Sequence, residues 1–196
     1  MAVVLLRQSS IGLHYMAGLL SSADCQQLIE IGLQHLQTAK VVDETTGQSV
    51  EHADRVSEMA WPNRNDYPIL QNISRGIAQL TNIPAENQEP LQILHYRPGG
   101  EYKPHFDAFP AGGEALKQGN RMATLILYLN TVPQGGGTAF PKLGVEAAAV
   151  AGCGAFFLNL DKDKKPHPLS LHAGLPVLSG EKWIVTCWMR ERAYVG

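Results

Sequence analysis

Cysteine is scarce in this sequence, and the three present are unsuited to cross-linking. Cys25, Cys153 and Cys187 are odd in number, widely spaced and free of any CxxC pair, which argues against a disulfide framework and against a zinc knuckle. They read as reduced, structural thiols. An excess of one charge is lacking too: 16 Lys and Arg face 18 Asp and Glu, for a formal net charge of -2, so there is no electrostatic footprint for nucleic acid or an anionic membrane surface. No stretch approaches the roughly 20 apolar residues of a membrane span. The apolar run Val3 to Leu6 is short and has Arg7 after it rather than before it, against the pattern of a secretory signal. These absences lead to the expectation of a cytoplasmic protein with no nucleic-acid and no membrane partner.

What is present is enough to bury a core. A chain of 196 residues, 44% of them hydrophobic, is expected to form one domain over residues 1–196. Cys25, Leu28, Ile29, Leu33 and Leu36 recur at helical spacing, predicting a helix over 22–37 with Ser21 or Ser22 as N-cap. From Val41 to Met59 the pattern is polar around Thr45-Thr46-Gly47-Gln48, which predicts two short strands, an exposed turn and a candidate lid. Ile69, Leu70, Ile73, Ile77 and Leu80 bring back the helical period over 67–80.

Beyond residue 90 the texture changes to short strands between Pro and Gly. They are expected at Leu91 to Tyr96, Lys103 to Phe109, Met122 to Asn130, Val145 to Val150, Ala155 to Leu160, Pro168 to His172 and Trp183 to Met189. Helices come first and strands later without βαβ alternation. That order predicts an α+β, mainly β fold, with residues 1–90 as helical support and lid hairpin and 91–192 as a sandwich or barrel core carrying the helices on one face.

His105 and Asp107 are two apart on an expected strand, where alternate side chains share a face. His172 can complete the set from a facing strand. Two imidazoles and a carboxylate on one side of an ion leave its other positions open, the arrangement of non-haem Fe(II) oxygenases. His95 and His167 lack matching spacing and are not taken as ligands.

The residues around these ligands are more specific than the HxD pair. They are the block Tyr96-Arg97-Pro98-Gly99-Gly100-Glu101-Tyr102-Lys103-Pro104-His105-Phe106-Asp107, Asn120-Arg121 leading to Thr124 through Asn130, Gly135-Gly136-Gly137-Thr138-Ala139-Phe140-Pro141, and the tail from His172 to Trp188. Together they resemble the prolyl 4-hydroxylases. The resemblance implies a double-stranded β-helix, a jelly-roll relative, and Fe(II) held by His105, Asp107 and His172 as the catalytic centre. It also implies 2-oxoglutarate as co-substrate, O2, ascorbate as reductant, and trans-4-hydroxylation of a proline-containing peptide or protein with release of succinate and CO2.

By the same resemblance Lys182 grips the distal carboxylate of 2-oxoglutarate, a task suited to a compact ammonium, while Tyr96 and Thr138 supply hydroxyls. Tyr102, Arg121 and Trp188 match positions that line the substrate opening. Each has a plainer alternative: Tyr96 a core tyrosine, Thr138 a turn residue, Arg121 a surface cation, Trp188 a core aromatic. Tyr102 reaches the face of His105 only through a bulge or an irregularity at Pro104. Three rival readings stay open: an oxygenase acting on a free amino acid or small metabolite, a non-catalytic jelly-roll binding or sensing module, and a zinc hydrolase.

Overall fold

The computed structural model describes residues 2–38, 41–42, 49–50, 57–110, 116 and 119–195. Strands β1 (Val3–Gln8) and β2 (Leu13–Ala17) come first, then helix α1 (Ser22–His35). Helix α1 starts where it does because Ser21 and Asp24 form a reciprocal capping box. Short strands β3 (Gln37–Thr38), β4 (Val41–Val42), β5 (Ser49–Val50) and β6 (Glu58–Ala60) lead to helix α2 (Pro68–Thr81). Pro68 pre-sets the first turn of α2, and Asn82 ends it in the left-handed region at φ 57.

The remaining strands are β7 (Gln92–Tyr96), β8 (Tyr102–His105), β9 (Arg121–Tyr128), β10 (Gln134–Gly135), β11 (Thr138–Phe140), β12 (Val145–Ala147), β13 (Gly154–Leu158), β14 (His172–Gly174), β15 (Val177–Ser179) and β16 (Lys182–Arg190). They make the protein mainly β. An eight-stranded antiparallel sheet runs β1-β2-β13-β9-β16-β7-β6-β3, and a four-stranded sheet runs β12-β11-β14-β8. Strands β4 and β5 pair as expected for a hairpin, Val41 with Val50 and Val42 with Ser49. The exposed turn and the lid role assigned around them lie outside the described residues.

Period-two alternation sorts the core. On β7, β9 and β16 one set of positions, including Ile93, Leu125, Leu127 and Val185, clusters with Leu28 of α1 and Leu70 of α2. The alternate set, Leu94, Tyr96, Ile126, Tyr128 and Ile184, clusters with Phe140 and Phe157. With both faces covered, all nine residues of β16 are buried, the polar Lys182, Thr186 and Arg190 among them. Among the described residues no helix is long and apolar enough to cross a membrane.

Three expectations need correction. Strands β1 and β2 precede α1 and extend the large sheet, so helices do not come first; Val3, Val4 and Leu5 stay more than half exposed on the sheet edge, which leaves no alternation to read. The strand expected over Pro168 to His172 is a 3-10 turn, Pro168–Ser170. His167 caps that turn by accepting the Leu169 N–H at 3.1 Å, and the strand starts only at His172. The strand expected from Lys103 to Phe109 stops at His105.

Candidate metal centre and its pocket

Two strands of the smaller sheet bring the imidazoles together. His105 ends β8, His172 opens β14, and the two are register partners. Asp107 follows β8 by two residues, with Oδ1 3.7 Å from His105 Nε2 and Oδ2 3.6 Å from His172 Nε2. One donor atom from each of the three lies within 4.8 Å of the others. His105 Nδ1 meets the Lys103 carbonyl at 2.7 Å, and His172 Nδ1 meets the Ser170 carbonyl at 3.0 Å. A carbonyl only accepts, so each Nδ1 carries a hydrogen and each Nε2 is the ring nitrogen turned toward Asp107.

Asp107 is buried, and its Oδ2 accepts from the Thr124 hydroxyl at 2.7 Å. Asn159 in turn donates to Thr124 Oγ1 at 2.8 Å. Burial pushes the Asp107 carboxyl upward, but His172, His105, Arg121 and the Thr124 hydrogen bond outweigh it and hold the group below the usual carboxylate value. A buried carboxylate facing two imidazole nitrogens offers a cation three converging donors. The donor set, two nitrogens and one oxygen on one side, fits a divalent transition metal with open positions.

The triad opens on a pocket of about 390 Å3 of empty space including its mouth, lined also by Tyr96, Tyr102, Thr138, Lys182 and Trp188. Lys182, the first residue of β16, is buried, and burial lowers its ammonium to about 8 from 10.5, with Glu146 opposing. Its Nζ lies 5.1 Å from the centroid of the Tyr96 ring. Among the described residues no carboxylate pairs with it at salt-bridge distance. A Cβ built at Gly174 of β14 would stand 3.7 Å from that Nζ, so the ammonium reaches across to the strand that carries His172. Thr138 is buried and accepts from the Tyr128 hydroxyl at 2.8 Å, which leaves its own proton available to a ligand. The glycines before it are needed for close approach: Gly135 adopts φ +76, and a Cβ there would come 2.2 Å from the Pro176 carbonyl.

At the mouth, Tyr102 stacks on His105 with ring centroids 3.6 Å apart at 19°. The bulge this demands is present, since His172 pairs with His105 and Gly174 with Tyr102, three steps on β8 against two on β14. Trp188 is buried and lines the pocket. Arg121 does not line it. Its guanidinium lies 3.8 Å over the Trp188 ring and donates to both oxygens of Glu89, Nε to Oε1 and a terminal nitrogen to Oε2, each at 2.8 Å. Arg190 shares Glu89 at 2.5 Å.

Sequence reasoning missed Thr124, Asn159, Glu89 and Asn130. Thr124 and Asn130 share the parity of inward-facing Ile126 and Tyr128, so a polar residue on an apolar face was the available signal. Asn130 brackets Lys182, donating to the Glu181 carbonyl and accepting from the Trp183 N–H, each at 2.7 Å. Glu89 offers no local signal, because its partners lie 32 and 101 residues away.

Residues 91–190 match the family model described as the 2OG-Fe(II) oxygenase superfamily. Among curated proteins, the chain is 34% identical over 194 residues to probable prolyl 4-hydroxylase 3 of Arabidopsis thaliana, covering 89% of this chain and 68% of that protein. It is 36% identical over 189 residues to prolyl 4-hydroxylase 1 of the same plant, covering 89% and 67%. Among solved structures, the viral collagen prolyl hydroxylase of Paramecium Bursaria Chlorella virus-1 in its 2OG complex superposes with a TM-score of 0.75 at 29% identity, over 91% of this chain and 95% of that one. A Pseudomonas putida prolyl-4-hydroxylase shares the fold at a TM-score of 0.63 and 24% identity, over 93% and 95%.

Proposed function

We propose, from the premise that this chain belongs to the prolyl 4-hydroxylase family of the 2OG-Fe(II) oxygenase superfamily, that it hydroxylates a prolyl residue of a peptide or protein at C4 in the trans sense. His105, Asp107 and His172 would hold Fe(II), which, with 2-oxoglutarate bound, would supply the oxidising power: one atom of O2 would go to succinate as CO2 leaves the keto acid, and the other to the new hydroxyl. Ascorbate would serve as reductant. The observation that carries the reading is the triad itself, converging on one pocket that also holds a buried lysine with no carboxylate at salt-bridge distance among the described residues.

The chain's own groups divide the work. The two Nδ1 hydrogens, fixed on backbone carbonyls, aim both Nε2 atoms inward, and Thr124 orients Asp107. Lys182 neutralises the distal carboxylate of 2-oxoglutarate, with the hydroxyls of Tyr96 and Thr138 beside it. Tyr102 and Trp188 flank the target proline. Arg121 acts from behind Trp188: with two of its nitrogens committed to Glu89, it stiffens the aromatic wall rather than capturing an anion. Among the described residues lining the pocket Lys182 is the one lysine or arginine, so the mouth suits an uncharged prolyl residue within a chain better than a free amino acid carrying its own carboxylate.

The sheet arrangement supports a double-stranded β-helix, with α1 and α2 on the outer face of the large sheet and residues 1–196 as one catalytic domain. The test is to incubate the protein with Fe(II), 2-oxoglutarate, ascorbate and either proline-rich peptides or free proline. Succinate release coupled to one added oxygen on a peptidyl proline, lost in His172→Ala, is expected. Turnover with free amino acids alone would overturn the peptide assignment.

A further inference from the structure

A charged cluster stands on the side of β7 and β16 that faces away from the pocket, and none of the chemistry above uses it. His95 is buried there, its ring stacked on Trp183 with centroids 4.1 Å apart at 15°. Its Nδ1 lies 2.8 Å from Glu58 Oε2 on β6, and its Nε2 lies 2.7 Å from Glu181 Oε2 in the turn before β16. Each ring nitrogen has a glutamate oxygen within hydrogen-bond distance, so the His95 ring bridges two acidic side chains. Arg97 adds two contacts to Glu58, at 3.1 and 3.4 Å. One imidazole thereby fastens β6, β7 and the turn into β16.

The position of this clamp along the chain is what gives it a role. His95 directly precedes Tyr96, Glu181 directly precedes Lys182, and Tyr96 and Lys182 are register partners. The outward clamp therefore sits back to back with the inward pair. That pair is also the terminal rung, since Tyr96 ends β7 and Lys182 begins β16, and ladder ends open most readily. A lysine with four side-chain torsions aims its charge only as well as its backbone is held.

We propose that the Glu58–His95–Glu181 clamp is a positioning device for the co-substrate, with His95 holding the last rung of the β7–β16 ladder so that Lys182 and Tyr96 stay aimed at 2-oxoglutarate. The inference rests on the reading of Lys182 as the cation for the distal carboxylate. His95 touches neither metal nor co-substrate and acts through its chain neighbours.

The experiment measures 2-oxoglutarate binding by calorimetry on protein loaded with redox-inert Mn(II), and Mn(II) affinity separately by electron paramagnetic resonance. The variants are His95→Gln, Glu181→Gln, their double, and Lys182→Met. Glu181 has a half-exposed side chain, 57%, so its variant tests the clamp even where the His95 substitution impairs folding. Expected are about tenfold weaker 2-oxoglutarate binding in His95→Gln and about threefold in Glu181→Gln, with the double no weaker than His95→Gln because the two lose one shared interaction. Mn(II) affinity stays within about twofold, and under turnover the KM for 2-oxoglutarate rises while kcat holds, the mark of lost uniform binding. If Lys182→Met loses 2-oxoglutarate and neither clamp variant does, the clamp inference fails while the reading beneath it stands. Parallel loss of metal and co-substrate in the clamp variants also overturns it, since that marks general loosening. If Lys182→Met binds 2-oxoglutarate normally, the underlying reading fails and the clamp role with it.

Discussion

At the scale of single residues, two backbone carbonyls orient the imidazoles of the site by accepting from Nδ1 of His105 and of His172. Lys182 sets a pH limit. Its folded value of about 8 lies below the ordinary 10.5 because burial disfavours the charge. Between those values the unfolded chain binds the proton and the folded one sheds it, so stability rises with pH across that window; below about 8 the buried charge is a fold cost carried for function. Co-substrate binding has the opposite sense, because only the charged lysine neutralises a carboxylate. Affinity for 2-oxoglutarate, titrated on Mn(II)-loaded protein from pH 7 to 10, is expected to be flat below about 8 and to fall about tenfold per unit above it. Lys182→Arg, which keeps its charge throughout, is expected to lose that slope.

At the scale of elements, packing decides what pattern alone leaves open. Helix α1 approaches the large sheet at Gly32, where a Cβ would come 2.9 Å from both Ile93 Cγ2 and the Trp183 ring. Gly32→Ala gains about 1 kcal/mol of helix propensity but overpacks a core contact, at about 1–3 kcal/mol. The ring edge and the β-branched Ile93 have little room to yield, so a net loss of about 1–2 kcal/mol is expected, read as a melting temperature lower by roughly 2–4 °C per kcal/mol. Both helices were legible in the sequence because their periodicity extends over three turns and Ser21 and Pro68 mark their starts. The long strands after residue 90 were legible for a similar reason. The strands β10, β11 and β15 were not, since two or three residues cannot show a period. Nor was the start of β14, where the Pro168 turn looks like strand. Within the site, the residues close together in sequence were readable: the HxD pair, and the block holding Tyr96 and Tyr102. The Glu58–His95–Glu181 clamp and the Arg121–Glu89–Arg190 cluster join residues 32 to 101 apart. Only tertiary structure brings such partners together, and His95 and Glu89 had no local feature to distinguish them.

At the scale of the whole molecule, the pocket lies where the two sheets face one another, and each contributes different chemistry. His105 and His172 stand on β8 and β14 of the smaller sheet, with Asp107 just beyond β8, while Tyr96 and Lys182 stand on β7 and β16 of the larger. An ion held by the triad ties together two strands of one sheet and the segment after them. A co-substrate reaching from that ion to Lys182 bridges both sheets, so the two ligands add to stability in a fixed order. Ligands that bind only the folded state contribute about 2.7 kcal/mol at a hundred times their dissociation constant, which corresponds to about 5–10 °C for a chain of this length. Thermal melts are expected to rise with Mn(II) alone, to rise further when 2-oxoglutarate is added to the metal-loaded protein, and to stay unchanged with 2-oxoglutarate in the presence of a chelator. His172→Ala should remove both increments, and Lys182→Met only the second. A co-substrate increment that survives in Lys182→Met would mean that 2-oxoglutarate does not span the two sheets, and that the larger sheet only supports the metal centre.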